Sequence, residues 1–266
     1  MREFIRRQRS ILLRGSCCAA VVVALVAVRG PRQPRADAGA RIGYYEARIG
    51  GPATYPAYAR LGGAYLQKAR ETGQAEYYGQ AERYLEQSIR FQRNFEAARW
   101  LAAAYSARHK FQQALPLARE AVSAIPADLD ALGTLFDAYL GLGERQSAAA
   151  VLAEMRGRGP SFAADARLAA LRQAEGNLGE AIQAMERACA AAEANRMIAG
   201  TRAWCQVEAG FLHFRNGEPK SAERAYARAL EILPGYHHAR KHRADLRRAE
   251  GGLAQAAVVN GSIRRP

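Results

Sequence analysis

Small and large apolar residues recur at helical spacing along most of the chain. Ala222, Tyr226, Ala229 and Pro234 follow one another at offsets of four, three and five. The same offsets recur at Ala114, Ala118, Ala121 and Pro126. Offsets of three and four place side chains on one face of a helix, and a proline after them ends it. The pattern therefore predicts short amphipathic helices of one type, written more than once.

The pattern has a fixed period. Pro160 follows Pro126, and Tyr139 follows Tyr105, by 34 residues in both cases. A period of this length, with small residues on one side and aromatic residues on the other, indicates stacked helical hairpins. The chain is 49% hydrophobic but only 8% aromatic, with alanine dominant, which favours helices over strands.

These residues resemble the tetratricopeptide repeat family over roughly residues 55–250. Small residues at repeat positions 8, 20 and 27 let two antiparallel helices approach closely. The resemblance implies an all-α, right-handed superhelical solenoid of antiparallel helix pairs, with about five hairpins and a partial sixth. It also implies a concave face, built from the first helix of each pair, on which the family binds extended peptides or partner helices.

Several segments depart from the regular period. Residues 71–78 are predicted to lengthen the linker of the first hairpin by seven residues, and residues 189–202 to extend a second helix by about two turns. Arg243 stands where an apolar residue is expected, which leaves a solvated cap or the remnant of a longer array as alternatives for the last helix. Residues 39–54, with Ile42, Tyr45 and Ile49 on one face, are predicted to hold a capping helix, and residues 251–266 a tail or truncated repeat.

Residues 1–38 have the outline of an export signal. Arginines precede an uncharged, apolar run at 15–28, which is short for a spanning helix of about 20 residues but suits a signal peptide. Ala36 and Ala38 frame a small-x-small cleavage site, whereas the basic stretch 29–35 leaves an uncleaved membrane anchor through residues 11–28 open. Both alternatives predict a bacterial protein that is periplasmic or anchored to the membrane. A twin-arginine signal and an organellar transit peptide fit less well.

The net charge of +14 is concentrated at the two ends of the chain. Residues 1–38 carry +6, residues 235–266 carry +5, and the body at 39–234 carries only +3. A continuous basic stripe over the body is therefore not supported, and nucleic acid is not a predicted partner.

Cys189 and Cys205 are the two cysteines outside the N-terminal apolar run. In an oxidising compartment they could pair, since they lie near the ends of helices expected to be adjacent. Two separately buried thiols fit the sequence at least as well, so the pairing stays open.

The resemblance assigns groove positions on each first helix. The fifth hairpin places a stripe there, which predicts either an aromatic shelf for a partner or a buried core face. The stripe consists of Trp204, Val207, Phe211, Phe214 and Arg215. The earlier hairpins give Glu96, Arg99, Ala103, Asp130, Asp137, Leu140, Arg167 and Leu171. The family's carboxylate clamp is not met, because Ala103 and Thr134 fill the positions of its asparagines.

His238 and His242 are spaced i, i+4, which could hold a metal, but Arg240, Lys241 and Arg243 beside them favour a solvated basic face. The sequence has no phosphate-binding glycine loop, nucleophile elbow or HExxH motif, so neither a catalytic residue nor a cofactor is predicted. The sequence thus predicts a non-enzymatic scaffold that binds a protein or peptide. The alternative is an accessory protein that handles a metal or ligand with its histidine-rich C-terminal helix.

Overall fold

The computed structural model of the protein describes residues 38–49 and 54–249. Within these residues it has twelve α-helices and no strand, which confirms the prediction of an all-α solenoid. None of the helices in the described ranges is both long and apolar enough to cross a bilayer. The predicted export signal or anchor at 1–38 and the tail at 251–266 fall outside the described residues, apart from Ala38.

The helices follow one another as a short leading helix, five hairpins and one final helix. The leading helix is α1 (Ala38–Glu46). The hairpins are α2 (Thr54–Thr72) with α3 (Ala75–Phe91), α4 (Phe95–Ala107) with α5 (Phe111–Ala124), α6 (Leu129–Gly141) with α7 (Arg145–Gly157), α8 (Phe162–Ala174) with α9 (Leu178–Ala194), and α10 (Ala199–Arg215) with α11 (Pro219–Ile232). The final helix, α12, is described over 237–249.

Polar caps fix where the first helices of the regular hairpins begin. Asn94, Asp128 and Ser161 precede α4, α6 and α8, and each side chain accepts a hydrogen bond from a backbone N–H in the first turn. Such a bond satisfies one of the donors that a helix start leaves without a partner. These caps recur at nearly the repeat period, so they set the same entry geometry in successive hairpins.

The hairpins form two layers. The first helices α2, α4, α6 and α8 pack on one another in order, and each second helix packs against its own partner and the next first helix. Leu132, Phe136 and Met155 lie at the centre of the largest apolar cluster, with alanines at the close approaches between helices. The first helices α2 and α10 also contact each other, so the layer of first helices curves inward and lines the concave face of the array.

The prediction of a longer linker in the first hairpin is wrong. Only Gly73 and Gln74 separate α2 from α3, and the additional residues lengthen both helices. Gly73 adopts a φ of +72°, which ends α2 at low cost because glycine has no Cβ. The residues after the turn continue as helix, since Ala75 and Glu76 are strong helix formers.

The additional residues at 189–202 are also distributed differently from the prediction. Helix α9 ends at Ala194, Arg196 turns the chain with a φ of 48°, and α10 begins at Ala199. The extra length is therefore shared between the end of α9 and the start of α10.

The final helix is packed rather than solvated. Tyr236, Ala239 and Leu246 join Val207 and Tyr226 in one buried cluster. Arg243 lies beside this cluster and donates a hydrogen bond to the Glu223 carboxylate at 2.6 Å. An arginine thus replaces the expected apolar residue because a carboxylate on α11 neutralises it.

Helix α1 occupies the place of a second helix from a preceding hairpin. The Tyr65 hydroxyl donates to Glu46 Oε1 at 2.7 Å, and the Tyr105 hydroxyl donates to Glu86 Oε1 at 2.8 Å. Both pairs are 19 residues apart in sequence. Tyr45 is buried against the array, so α1 covers the first hairpin as α3 covers the second.

Candidate partner-binding face

Ion pairs bridge successive first helices along the concave face. Arg60 on α2 faces Glu96 on α4 at 4.0 Å, Arg99 on α4 contacts Asp130 on α6 at 3.0 Å, and Arg167 on α8 contacts Asp137 on α6 at 2.8 Å. We name this row the concave ladder, and its residues are Arg60, Glu96, Arg99, Asp130, Asp137 and Arg167. The structure therefore brings the charged groove residues predicted from the sequence together, in pairs between neighbouring hairpins.

The pair of Arg167 and Asp137 is the most enclosed step of the ladder. Arg167 donates two hydrogen bonds to the Asp137 carboxylate, from Nε at 3.2 Å and from Nη2 at 2.8 Å. Gly133 on α6 makes room for the guanidinium, since a Cβ there would lie 2.9 Å from Arg167 Cζ. Burial alone would lower the pKa of Arg167, but the Asp137 carboxylate and its hydrogen bonds raise it. This step is therefore held by two hydrogen bonds and keeps the arginine charged.

The pair of Arg99 and Asp130 is more open. The Asp130 side chain is 80% exposed, whereas that of Arg99 is 20% exposed. Arg99 also faces Asp128, which caps α6, with 3.5 Å between Nε and Oδ2. Asp130 consequently keeps oxygen lone pairs free to accept hydrogen bonds from another molecule.

Three charged residues on the concave side were missed by the sequence-based reasoning: Arg60, which belongs to the ladder, and two others. Arg70 on α2 and Glu208 on α10 have no hydrogen bond or ion pair within the described part of the chain. Arg70 is exposed, whereas Glu208 is half-buried, and burial raises the pKa of Glu208 to about 7. Helical position within each repeat could have suggested both, but only the folded array shows that they lack partners.

The stripe on α10 is divided between core and surface. Val207 is 1% exposed and belongs to the cluster formed with α11 and α12, so it cannot contact a partner in this structure. Trp204 stacks edge-on against Phe162, and the Phe211 ring lies 5.8 Å from that of His242. The Phe214 and Arg215 side chains are exposed at the end of the helix. Neighbouring helices therefore bury Val207 and cover Trp204 and Phe211 in part, while Phe214 and Arg215 stay exposed, so the stripe is neither wholly core nor one continuous aromatic shelf.

His238 and His242 do not converge on one point. The His242 ring lies between the rings of Phe211 and Tyr226, whereas the His238 ring lies over Gly73. In the ranges 38–49 and 54–249, no group of three or more His, Cys, Asp or Glu side chains is placed to hold a metal ion. The i, i+4 spacing thus serves two separate packing contacts.

Cys189 and Cys205 form a disulfide, which resolves the alternative left open by the sequence. Their Cα atoms are 5.5 Å apart, and the bond joins α9 to α10. Since α10 packs on α9, α11 and the end of α2, the disulfide fixes the fifth hairpin to the fourth where the repeat is irregular.

The comparisons with known proteins agree with this architecture. Residues 106–174 match the family model of the tetratricopeptide repeat. No curated protein matches the sequence.

Solved structures with the same fold come from proteins with different partners. A thermophilic TPR protein from Thermus thermophilus has a TM-score of 0.62 and 19% identity, over 73% of this chain and 98% of that one. Cut9 from the APC/C hetero-tetramer Cut9–Hcn1 has a TM-score of 0.63 and 13% identity, over 79% of this chain but 40% of that one. Human IFIT1, solved as a dimer with m7Gppp-AAAA, has a TM-score of 0.60 and 14% identity, over 79% of this chain and 51% of that one. Identities this low establish the fold, and the chain spans only about half the length of the last two.

Proposed function

Since the chain is a tetratricopeptide repeat protein, we propose that it is an exported scaffold that binds an extended segment of a partner protein. Proteins of this family are generally non-enzymatic interaction scaffolds. The concave ladder is the observation that carries this proposal. Its pairs lie on successive first helices, which pack roughly 9 Å apart. An extended peptide advances about 3.3 Å per residue, so every third residue of a bound segment would face the next pair.

The charges of the ladder favour a protein segment over nucleic acid. Arg60, Arg99 and Arg167 are balanced by Glu96, Asp130 and Asp137, so the row has no net charge. A nucleic-acid backbone requires an excess of positive charge along its path. A protein segment that carries both positive and negative side chains matches this alternating row better. Its hydrogen bonds to the ladder replace the hydrogen bonds to water that both surfaces lose on binding.

The test begins with capture of partners by the full chain from the native envelope fraction, followed by affinity measurement with each purified partner. Asp130→Lys should weaken binding at least tenfold, because it reverses the most exposed charge of the ladder. Glu231→Lys is the matched control, since Glu231 also pairs with an arginine but lies on the second helix α11. Equal affinity of the two variants would remove the ladder from the binding surface.

Two further measurements test the rest of the proposal. A labelled RNA oligonucleotide should show no binding to the full chain at low salt, and steeply salt-dependent binding would contradict a protein partner. Fractionation of the native host should recover the array with the envelope. Recovery with the cytosol would contradict the export predicted from residues 1–38.

A further inference from the structure

In the fifth hairpin, the second helix α11 covers one face of the first helix α10. Ala203 and Val207 on α10 are buried in one cluster with Tyr226 on α11. A Cβ on Gly210 would lie 2.5 Å from Tyr226 Cε1, so the two helices approach each other closely at this glycine. A first helix thus presents one face to the second helix of its own hairpin.

The same face of α12 is exposed. The residues that follow Ala203, Val207 and Gly210 by one repeat period of 34 are His237, Lys241 and Ala244, and each of them is exposed. Within the described residues, no helix follows α12. The exposed side chains form a continuous stripe, which we name the outer stripe: His237, Arg240, Lys241, Ala244, Arg247 and Arg248.

The outer stripe is basic and only partly neutralised. Arg247 lies 3.5 Å from a carboxylate oxygen on α11, and Arg248 pairs with a carboxylate on its own helix. Arg240 donates to a backbone carbonyl at 2.9 Å, and Lys241 has no hydrogen bond or ion pair within the described residues. Two positive charges of the stripe therefore lack a carboxylate partner in the part of the chain that the structure describes.

We propose that the outer stripe binds an acidic amphipathic helix of a partner protein, which packs on α12 as a second helix packs on the first helix of each complete hairpin. Ala244 allows the two helices to approach closely. Carboxylates on both sides of the apolar seam of the partner helix pair with Lys241 and its neighbours. The stripe shares no residue with the concave ladder, so this inference does not depend on the proposed function.

Charge argues against the chain's own tail and against a second copy as the occupant of the stripe. Residues 251–266 carry Arg264 and Arg265 but no acidic residue, so they would add positive charge to a basic surface. A second copy brings a net charge of +14, which disfavours association through a basic face.

The composition of the stripe favours a partner helix over a bilayer or a nucleic acid. Ala244 is its single apolar side chain, whereas a helix in a bilayer interface inserts large apolar residues. A nucleic acid needs positive charge along its whole path, but residues 39–234 beside α12 carry only +3. A small residue in the middle of the stripe suits the close packing of two helices instead.

The test measures binding of three synthetic peptides to the full chain. Each has 14 residues, the length of α5 and α11, is stapled to remain helical, and carries an alanine-rich seam flanked by glutamate, glutamine or lysine. Fluorescence anisotropy at low salt should show that the glutamate peptide binds about tenfold more tightly than the glutamine peptide, and that the lysine peptide does not bind. Equal affinity of the first two, or no binding of the glutamate peptide at about 1 mM, would overturn the proposal.

Charge reversal assigns the binding to the outer stripe. Lys241→Glu with Arg248→Glu should weaken binding of the glutamate peptide about tenfold and permit binding of the lysine peptide, because both charges lie within about one turn of Ala244. Arg145→Glu with Arg156→Glu is the matched control, since it makes the same charge change on exposed residues of α7. Similar losses in the two double variants would overturn the proposal.

Two measurements separate helix packing from charge. Ala244→Gln should weaken binding of the glutamate peptide about fivefold by blocking the close approach, whereas Ala244→Gly should retain it. A scrambled peptide of the same composition, without the seam, should bind about tenfold more weakly than the ordered one. Equal affinity of the ordered and scrambled peptides would assign the binding to charge alone and overturn the proposal.

Other occupants give different results. Peptide binding that requires deletion of residues 251–266 would identify the tail as the occupant, and self-association that Lys241→Glu abolishes would identify a second copy. Tighter binding of phosphatidylglycerol vesicles or of an RNA oligonucleotide through the same residues would also overturn the proposal. Asp130→Lys should leave peptide binding unchanged, so the outer stripe and the concave ladder are tested separately.

Discussion

The joint of the third hairpin with its neighbours, the second and fourth, and the joint between the fourth and fifth hold their helices in different ways. At the first joint, large side chains such as Leu132, Phe136 and Met155 fill the space between regularly spaced helices. At the second joint the cluster is mostly alanine, and the Cys189–Cys205 disulfide crosses it. Where insertions break the repeat geometry, a covalent link thus supplies part of what side-chain volume supplies elsewhere.

The largest effect on stability is expected from removing a buried side chain at the first joint, where the helices are regularly spaced. Phe136→Ala should lower the free energy of unfolding by about 3–5 kcal/mol, because it leaves a cavity where the ring is fully buried. Urea denaturation followed by circular dichroism measures the change. Phe91→Ala is the control: its ring is largely exposed, so we expect a loss below about 1 kcal/mol. Similar losses for both variants would contradict the packing of the first joint.

Removal of the disulfide should lower the free energy of unfolding by somewhat less. The double variant Cys189→Ala, Cys205→Ala should be less stable by about 2–4 kcal/mol, because the unfolded chain regains the freedom of a loop that spans a separation of 16 residues. Reducing agent should destabilise the natural protein by a similar amount and leave the double variant unchanged. If reduction has no effect on the natural protein, the disulfide is not a constraint on this joint.

Two carboxylates on first helices, Glu208 on α10 and Asp137 on α6, are held in different ways, and pH separates their effects on stability. Glu208 has a pKa raised to about 7 by burial, so the folded state binds its proton more tightly than the unfolded state, whose pKa is 4.5. Stability from this group is therefore lost as the pH rises from about 4.5 to 7. Glu208→Gln should raise the free energy of unfolding by on the order of 1–3 kcal/mol at pH 8 and have little effect near pH 4.5.

Asp137→Asn, at the first joint, is the variant matched to Glu208→Gln. Because Asp137 pairs with Arg167, we expect this change to lower stability at pH 8 by roughly 1–3 kcal/mol. Chemical denaturation of both variants at both pH values tests the comparison. A stabilising effect of Asp137→Asn, or no effect of Glu208→Gln at pH 8, would show that pairing does not distinguish the two carboxylates.

The smallest effect concerns one turn. His109 has a φ of 57° where Gly143 and Gly217 stand in the corresponding turns of other hairpins. His109→Gly should stabilise the second hairpin by about 0.5–1 kcal/mol, because it removes the strain of a Cβ in this conformation. Gly143→Ala should change the melting temperature in the opposite direction. If both substitutions shifted it the same way, turn strain would not be the cause.

The repeat period predicts the helix pairs and every residue of the ladder except Arg60, but not how those residues pair. Arg99 and Asp130, or Asp137 and Arg167, lie slightly less than one period apart, so their helices are known from the sequence to be neighbours. The conformation of the extra residues at 71–78 was not predicted, because comparison with the repeat period gives the number of additional residues and not their secondary structure. Glycine at 73, read as a helix end, would have corrected it.

The repeat period does not predict contacts between distant parts of the array. The contact of α2 with α10 depends on small rotations accumulated over successive hairpins, and no local pattern near Gly200 records their sum. The cover over Val207 and Phe211 likewise comes from α12, a helix of the next unit. A stripe at helical spacing therefore identifies a face, whereas its neighbours decide whether that face meets solvent.

Glu46 with Tyr65 and Glu86 with Tyr105 form the same type of hydrogen bond at two successive junctions. This repetition makes the coding sequence modular. Because the hydrogen bond between α1 and α2 is of the same type as the one between α3 and α4, a whole hairpin can be duplicated or deleted between these points with this hydrogen bond retained. Such an array changes length by unequal recombination while each new junction remains one that the fold already uses. The groove can thus be lengthened or shortened, in evolution or by design, in steps of one hairpin.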